Sequence, residues 1–285
     1  MNIVIGKTAG FCYGVKRAVE SAEKDIENSK EKIYCLGEIV HNKQVVDELK
    51  SKGIEFIEDI NEADSTTIIR AHGVSKDIYE KAKSKNIELK DYTCPNVLKI
   101  HKIAEEYADK GYYILLFGSK KHPENIGTVS FCGDKYLVVE NKEDVFNAIE
   151  VINNLEIKKI AIISQTTFKL EDFYIFEEIL RNELVGDIEI KVENTICRAT
   201  EIRQLETEEI SQNADCMIII GGKNSSNTKK LYEIAKENCE NTVCVENVDE
   251  LKKLDMDIHG HVGIMAGAST PKKSIDDVCE YLKEV

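Results

Sequence analysis

ADCMIIIGGKNSSNTKKLYEIAKEN, residues 214–238, passes from an unbroken apolar run through a polar turn into an amphipathic pattern. Cys216–Ile220 are all apolar, which suits a short strand covered on both faces, as in a parallel sheet. Gly221 to Ser226 break the run. Beyond them Leu231, Ile234 and Ala235 recur at three- and four-residue spacing, the mark of a helix with one apolar face. The same strand–turn–helix order returns in KIYCLGEIVHNKQVVDELKSKG, STTIIRAHGVSKDIYEKAKSKN, YYILLFGSKKHPENIGTVS, KKIAIISQTTFKLEDFYIFEEIL and GHVGIMAGASTPKKSIDDVCEYL. This alternation predicts the α/β class with parallel sheets.

Three more stretches share the pattern: VIGKTAGFCYGVKRAVESAEK, ELKDYTCPNVLKIHKIAEEY and VENTICRATEIRQLETEEI. They put Cys12, Cys94 and Cys197 at matching strand-to-helix turns. All the units together group in threes. Cys12, His41 and His72 mark the first group; Cys94, His122/Glu124 and Thr166 the second; Cys197, Ser225–Asn227 and Ser269 the third. A repeat of this length predicts three small parallel-sheet lobes related by a pseudo-threefold. The expected segments are 1–94, 95–193 and 194–285, with the N-terminal strand free to join the third lobe. In open parallel sheets ligands lie beyond the carboxyl ends of the strands. A pseudo-threefold arrangement would turn all these polar turns toward one central cavity.

The chain has 285 residues, more than one ordinary core needs, and a net charge of −14. That charge argues against nucleic acid or an anionic membrane as partner, and leaves room for a small phosphorylated substrate at a locally cationic site. The start, MNIVIGKTAGF, lacks the features of a signal peptide, and no apolar run approaches the ~20 residues that span a bilayer. A cytoplasmic location is expected. Nine cysteines, an odd number in a long chain, predict reduced thiols rather than a disulfide framework.

Three distant thiols at equivalent turns suit a 4Fe–4S cluster with one iron left open, able to act as a Lewis acid. Nearby helix N-termini favour thiolate. The competing reading, small buried residues, fits Cys35, Cys132, Cys216, Cys239, Cys244 and Cys279. A three-cysteine zinc site is weaker, because structural zinc takes four ligands from close-spaced pairs. The turns holding Ser225, Ser226 and Asn227, and Ser269, can cradle phosphate, or can be ordinary helix caps. His41, His72 and His122 fall in equivalent turns and can donate to phosphate oxygens. His101, His259 and His261 read as structural. Glu124, two residues after His122, is either a proton donor with a raised pKa or a first-turn carboxylate favoured by the helix dipole. Thr166 is either a proton relay or substrate contact, or an N-cap.

The motifs AGFCYGVKRAV, EIVHNKQVV, RAHGVS, DYTCPNV, HPENIGT, SQTT, NTICRAT, KNSSNT and AGAST span nearly the whole chain. In order and spacing it resembles the 4-hydroxy-3-methylbut-2-enyl diphosphate reductase family, which acts last in the non-mevalonate isoprenoid pathway. The resemblance implies three α/β lobes around a 4Fe–4S cluster held by Cys12, Cys94 and Cys197. It implies diphosphate contacts from His41, His72, His122, Ser225, Ser226, Asn227 and Ser269, with Glu124 as proton donor and Thr166 beside the substrate hydroxyl. The implied reaction is reductive dehydroxylation of an allylic diphosphate to isopentenyl and dimethylallyl diphosphates. Electrons would come from a carrier such as ferredoxin or flavodoxin. Two other readings stand beside it: a quinolinate-synthase-like 4Fe–4S dehydratase, and a non-enzymatic iron–sulfur sensor or electron carrier.

Overall fold

The computed structural model of the protein describes residues 1–254 and 257–284. In chain order it begins β1 (Asn2–Ile5), α1 (Tyr13–Asn28), β2 (Ile33–Leu36), α2 (Lys43–Ser51), β3 (Ile54–Ile57), β4 (Thr67–Ile69), α3 (Lys76–Ser84) and β5 (Leu89–Asp91). There follow α4 (Pro95–Asp109), β6 (Tyr113–Phe117), α5 (Pro123–Val129), β7 (Tyr136–Val139), α6 (Lys142–Asn154), β8 (Lys159–Ser164), α7 (Leu170–Glu183) and β9 (Glu189–Val192). The last elements are α8 (Arg198–Ser211), β10 (Cys216–Ile220), α9 (Ser226–Asn238), β11 (Thr242–Val245), α10 (Val248–Leu251), β12 (His261–Ala266) and α11 (Lys272–Glu284).

Among the described residues the strands form three four-stranded parallel sheets, ordered β3-β2-β4-β5, β7-β6-β8-β9 and β11-β10-β12-β1. Each order is second, first, third, fourth in its own group, with β1 taking the fourth place in the last sheet. The repeat extends to single hydrogen bonds. Gly37, Gly118 and Gly221, each just past a strand, donate their N–H to the carbonyls of Ile57, Val139 and Val245 at 2.7, 2.9 and 2.9 Å.

The chain forms two compact units. The first holds Met1–Glu27, Glu38–Ile54 and Arg198–Val285; the second holds Asn28–Gly37 and Glu55–Cys197. The partition at 94 and 193 concerns the repeat and stays a proposal; positions 255, 256 and 285 of its third segment lie outside the described residues.

Each interior follows from the two-residue period of a strand, which sends successive side chains to opposite faces. In the first unit, Ile218, Ile220 and Ile264 pack with Ile275, Val278 and Leu282 of α11, while Met217, Ile219 and Met265 pack with Leu231 and Ala235 of α9. In the second, Leu115, Phe117, Ile160 and Ile162 meet Val145, Phe173 and Phe176 of α6 and α7, and Ile114, Leu116 and Ile163 meet Ile100 and Ala104 of α4. Tyr34, Leu36 and Ile69 pack with Ile57, Ile60 and Ala82. The inner strands β2, β4, β6, β8, β10 and β12 are therefore covered on both sides, which is why most of them read as continuous apolar runs, while the edge strands β1, β5 and β9 are more exposed, and the α/β class holds. Among the described residues no helix is long and apolar enough to cross a membrane.

Phe117 is fully buried against Phe168, Phe173 and Phe176, with ring centroids 5.5–6.1 Å away. Phe117→Ala is expected to cost about 3–5 kcal/mol, read as a lower urea midpoint for the second unit.

Candidate functional site

A strand buried on both faces has no room for polar side chains along its length. Its polar groups collect past its carboxyl end. Cys12, Cys94 and Cys197 occupy this place after β1, β5 and β9, the fourth strands of the three sheets, and each is the residue immediately before a helix: α1, α4 or α8. All three thiols are half-buried and outside any disulfide. Each backbone N–H is tied to the turn of the neighbouring strand: Cys12 to the Ala268 carbonyl (3.1 Å), Cys94 to Ala71 (2.9 Å) and Cys197 to Thr166 (3.1 Å). Those three acceptors are Thr166 itself and the residues preceding Ser269 and His72. The same backbone bond therefore joins each thiol-bearing turn to a turn with a candidate binding residue.

The other cysteines differ in environment. Burial pushes the thiols of Cys35, Cys132 and Cys216 up to about 12 and that of Cys244 to about 11, and raises Cys279 as well. Cys239 is buried too, in the cluster beneath α9. The five thiols raised by burial are neutral packing groups.

In the first unit the chain brings His41, the Ser225–Asn227 turn and Ser269 together. Ser269 Oγ donates to the His41 carbonyl at 3.1 Å. A Cβ on Gly222 would stand 2.6 Å from that same carbonyl oxygen, so only glycine lets these two backbones approach. His41 Nδ1 lies 3.2 Å from Glu38 Oε2. Ser225 is the N-cap of α9: its Oγ accepts the Thr228 N–H at 3.3 Å. The ordinary-cap reading thus holds for Ser225, and Ser226 opens the helix half-buried. Asn227 is different. It is 3% exposed, and among the described residues neither Nδ2 nor Oδ1 finds a hydrogen-bond partner. An unbonded buried amide costs free energy unless water or another group meets it.

In the second unit His72, His122, Glu124 and Thr166 gather. His122 caps α5, its Nδ1 accepting the Glu124 N–H at 3.2 Å, and Pro123 starts the helix. With Nδ1 used as acceptor, the neutral ring carries its proton on Nε2 and is a donor there. His122 and His72 stand edge to face, ring centroids 5.6 Å apart. Glu124 is 2% exposed. Thr166 N–H donates to its Oε1 and Thr166 Oγ1 to its Oε2, both at 2.6 Å. Burial pushes the Glu124 carboxyl from 4.5 up to about 7, against the pull of the two Thr166 bonds. Thr166 is not a helix cap; Lys169 precedes α7.

Residues beyond the expected set hold these turns. Gln165 Oε1 accepts from Ser119 N–H (3.1 Å) and Asn125 Nδ2 (2.9 Å), and Asn125 Nδ2 also donates to the Ser119 carbonyl (2.8 Å). Both lie inside the motifs SQTT and HPEN, beside Thr166 and Glu124, which is the one signal that marked them. Among the described residues no group of three or more His, Cys, Asp or Glu is set closely enough to hold a metal ion. That spacing is what a single ion needs; a cubane takes each thiolate on a different iron.

Comparison with known proteins bears on this arrangement. The LytB protein family model matches residues 3–283. A protein of Caldanaerobacter subterraneus subsp. tengcongensis named 4-hydroxy-3-methylbut-2-enyl diphosphate reductase is 41% identical, covering 100% of this chain and 98% of its own length. One of the same name from Aquifex aeolicus is 40% identical over 100% of this chain and 97% of its own. A solved structure of (E)-4-hydroxy-3-methyl-but-2-enyl diphosphate reductase, the terminal enzyme of the non-mevalonate pathway, superposes with a TM-score of 0.70 at 38% identity, covering 100% of this chain and 99% of that one. The Plasmodium falciparum E-1-hydroxy-2-methyl-but-2-enyl-4-diphosphate reductase gives 0.85 at 31% identity, over 99% and 87% of the two chains. Matched along nearly all its length in both sequence and fold, the chain belongs to the LytB protein family.

Proposed function

We propose that this chain is a 4-hydroxy-3-methylbut-2-enyl diphosphate reductase, an oxidoreductase that removes the allylic hydroxyl and yields isopentenyl and dimethylallyl diphosphates. Full-length relatives at 41% and 40% identity carry that activity in their names. They favour it over the dehydratase and electron-carrier readings. The observation in this chain that carries the reading is Glu124, a buried carboxyl brought to about 7 and bonded twice to Thr166.

The residues fit a 4Fe–4S cluster. Cys12, Cys94 and Cys197 are half-buried thiols outside any disulfide, at equivalent turns, soft donors of the kind iron–sulfur clusters take. When bound there, the cluster would supply electrons and a Lewis-acidic iron for the substrate oxygen. The chain's own residues do the rest. In the first unit, the Ser225 hydroxyl keeps its proton to donate, since its lone pair already serves the cap. Asn227 Nδ2, Ser226, Ser269 and His41 add donors, and the N-terminus of α9 favours an anion. In the second unit, the Nε2–H of His122 and the ring of His72 offer further donors to phosphate oxygens. Glu124 holds the proton that turns the departing hydroxyl into water, and Thr166 Oγ1, 2.6 Å from its Oε2, can pass that proton on. Two electrons enter from a carrier such as ferredoxin or flavodoxin. Two protons are taken up, one by the leaving oxygen and one by carbon, which balances the loss of water. The setting is the cytoplasm.

The Glu124 pKa fixes the sign of a pH effect. The native carboxyl keeps a proton that the unfolded chain releases between pH 4.5 and about 7. Stability should therefore fall as pH rises through that window, by roughly 3 kcal/mol in all, and the slope should vanish in Glu124→Gln. Unfolding titrations at pH 5 and pH 8 measure this. In the reductase assay the same variant should keep iron and diphosphate affinity but lose turnover roughly 10²-fold or more. Wild-type turnover would mean the proton comes from elsewhere. Asn227→Leu should stabilise the apoprotein by about 1 kcal/mol, because it removes an unbonded amide, while raising KM for the diphosphate. A gain in neither would show that Asn227 is satisfied without substrate. Serine at Cys12, Cys94 or Cys197 should lower bound iron after anaerobic reconstitution, whereas Cys216→Ser should not.

A further inference from the structure

Helix α8 is built inside out. Thr200, Arg203, Gln204, Thr207 and Ser211 are its buried positions, while Ile202 and Leu205 are 42% and 52% exposed. An inward polar face is costly unless its groups are bonded. Arg203 and the half-buried Glu206 place their bonds on one short segment, the loop that runs from β1 toward Cys12. Arg203 donates from Nε and Nη2 to the Thr8 carbonyl at 3.0 and 2.6 Å, and from Nη2 to the Gly10 carbonyl at 2.9 Å. Glu206 accepts the N–H of Lys7 at 2.6 Å and of Thr8 at 2.9 Å, and the Thr8 hydroxyl at 2.5 Å. Burial alone would raise the Glu206 carboxyl; the Thr8 and Lys7 donors outweigh it and hold it below the usual range. Charge-assisted bonds of this kind are about twice as strong as neutral ones.

The loop needs such a grip more than its counterparts do. Cys94 follows the end of β5 by three residues and Cys197 follows β9 by five, but Cys12 follows β1 by seven. Gly10 lies in the left-handed region at φ +102°, so the loop also turns sharply just before the thiol. The Cys12 N–H bond to Ala268 holds the far end of the loop, and the α8 side chains hold its middle.

We propose that Arg203 and Glu206 are positioning residues that fix the loop Lys7–Gly10 and so aim the Cys12 thiol. The proposal rests on the reading of Cys12 as a cluster ligand.

The test uses the full chain with Arg203→Met, Arg203→Lys, Glu206→Gln, Thr8→Val and Cys12→Ser. Amide hydrogen exchange is measured on the apoprotein. Iron content and the electron paramagnetic resonance spectrum are measured after anaerobic reconstitution with ferrous iron and sulfide. In Arg203→Met and Glu206→Gln, exchange at residues 7–12 should accelerate at least about tenfold, with β10 and β12 unchanged. Bound iron should fall and the spectrum of the reduced cluster should change. Arg203→Lys, which keeps a cationic donor, should lie between these variants and wild type. If Arg203→Met does not fold, Thr8→Val, which removes one bond to Glu206, should shift exchange and spectrum in the same direction to a smaller extent. Unchanged exchange at residues 7–12 overturns the proposal. So does faster exchange with wild-type iron content and spectrum, which would make the clamp purely structural. Full iron in Cys12→Ser overturns it through its premise, and that failure is distinct because it appears without any change in the clamp residues.

Discussion

The sheets bury both faces of their inner strands, and this constraint organises everything else. Cys216–Ile220 and residues 160–163 are fully enclosed and carry no charged or hydroxyl side chain. Chemistry is displaced to the loops past their carboxyl ends, where backbone groups leave the ladder and need new partners. The loops at the same end of the more exposed edge strands β1, β5 and β9 each carry a thiol, and in each the N–H of the cysteine is spent on the turn of the neighbouring inner strand. A rigid apolar layer thus ends in a rim of polar groups whose backbone is already committed, leaving the side chains available.

Burial acts on two kinds of acid in this chain with opposite results. For Cys35, Cys132 and Cys216 it lifts the thiol far above neutrality, so they remain inert packing groups. For Glu124 the same penalty, offset in part by Thr166, stops near 7, where protonated and ionised forms are both accessible. The distinction lies in the starting value of each group and in whether donors are present to oppose desolvation. Asn227 belongs to a third case, a neutral polar group that burial leaves without partners rather than shifting.

Much of this was legible in the sequence. Runs such as YYILLF and CMIII could only be short, doubly covered strands, and the turns after them gave the places of the cysteines, His122, Glu124 and Thr166. The sequence left Glu124 between a proton donor with a raised pKa and a first-turn carboxylate; its upward shift comes from a burial that position alone did not show. The supports of the site were harder to see. Gln165 and Asn125 meet across forty residues, and Arg203 reaches Thr8 across 195. Local patterning says nothing about partners that distant. One clue did exist: Thr200, Arg203, Gln204, Thr207 and Ser211 repeat with helical spacing, so α8 had a continuous polar stripe opposite Ile202 and Leu205. Read with the usual rule, that stripe faces water. It faces inward because its groups find partners there: Arg203 bonds the loop before Cys12, while Thr207 and Ser211 bond carbonyls of α8 itself.

The pairing of β1 with β12 has a consequence for how the protein is made. Residues 2–5 leave the ribosome long before the strand they bond to, His261–Ala266. The second unit, by contrast, draws on nothing beyond Cys197 and can close while synthesis continues. The first unit must wait until residues 261–266 have been made, with β1 and the Cys12 loop unpaired until then. Vectorial synthesis therefore imposes an order of assembly in which one thiol-bearing turn is finished only after that distant strand has emerged.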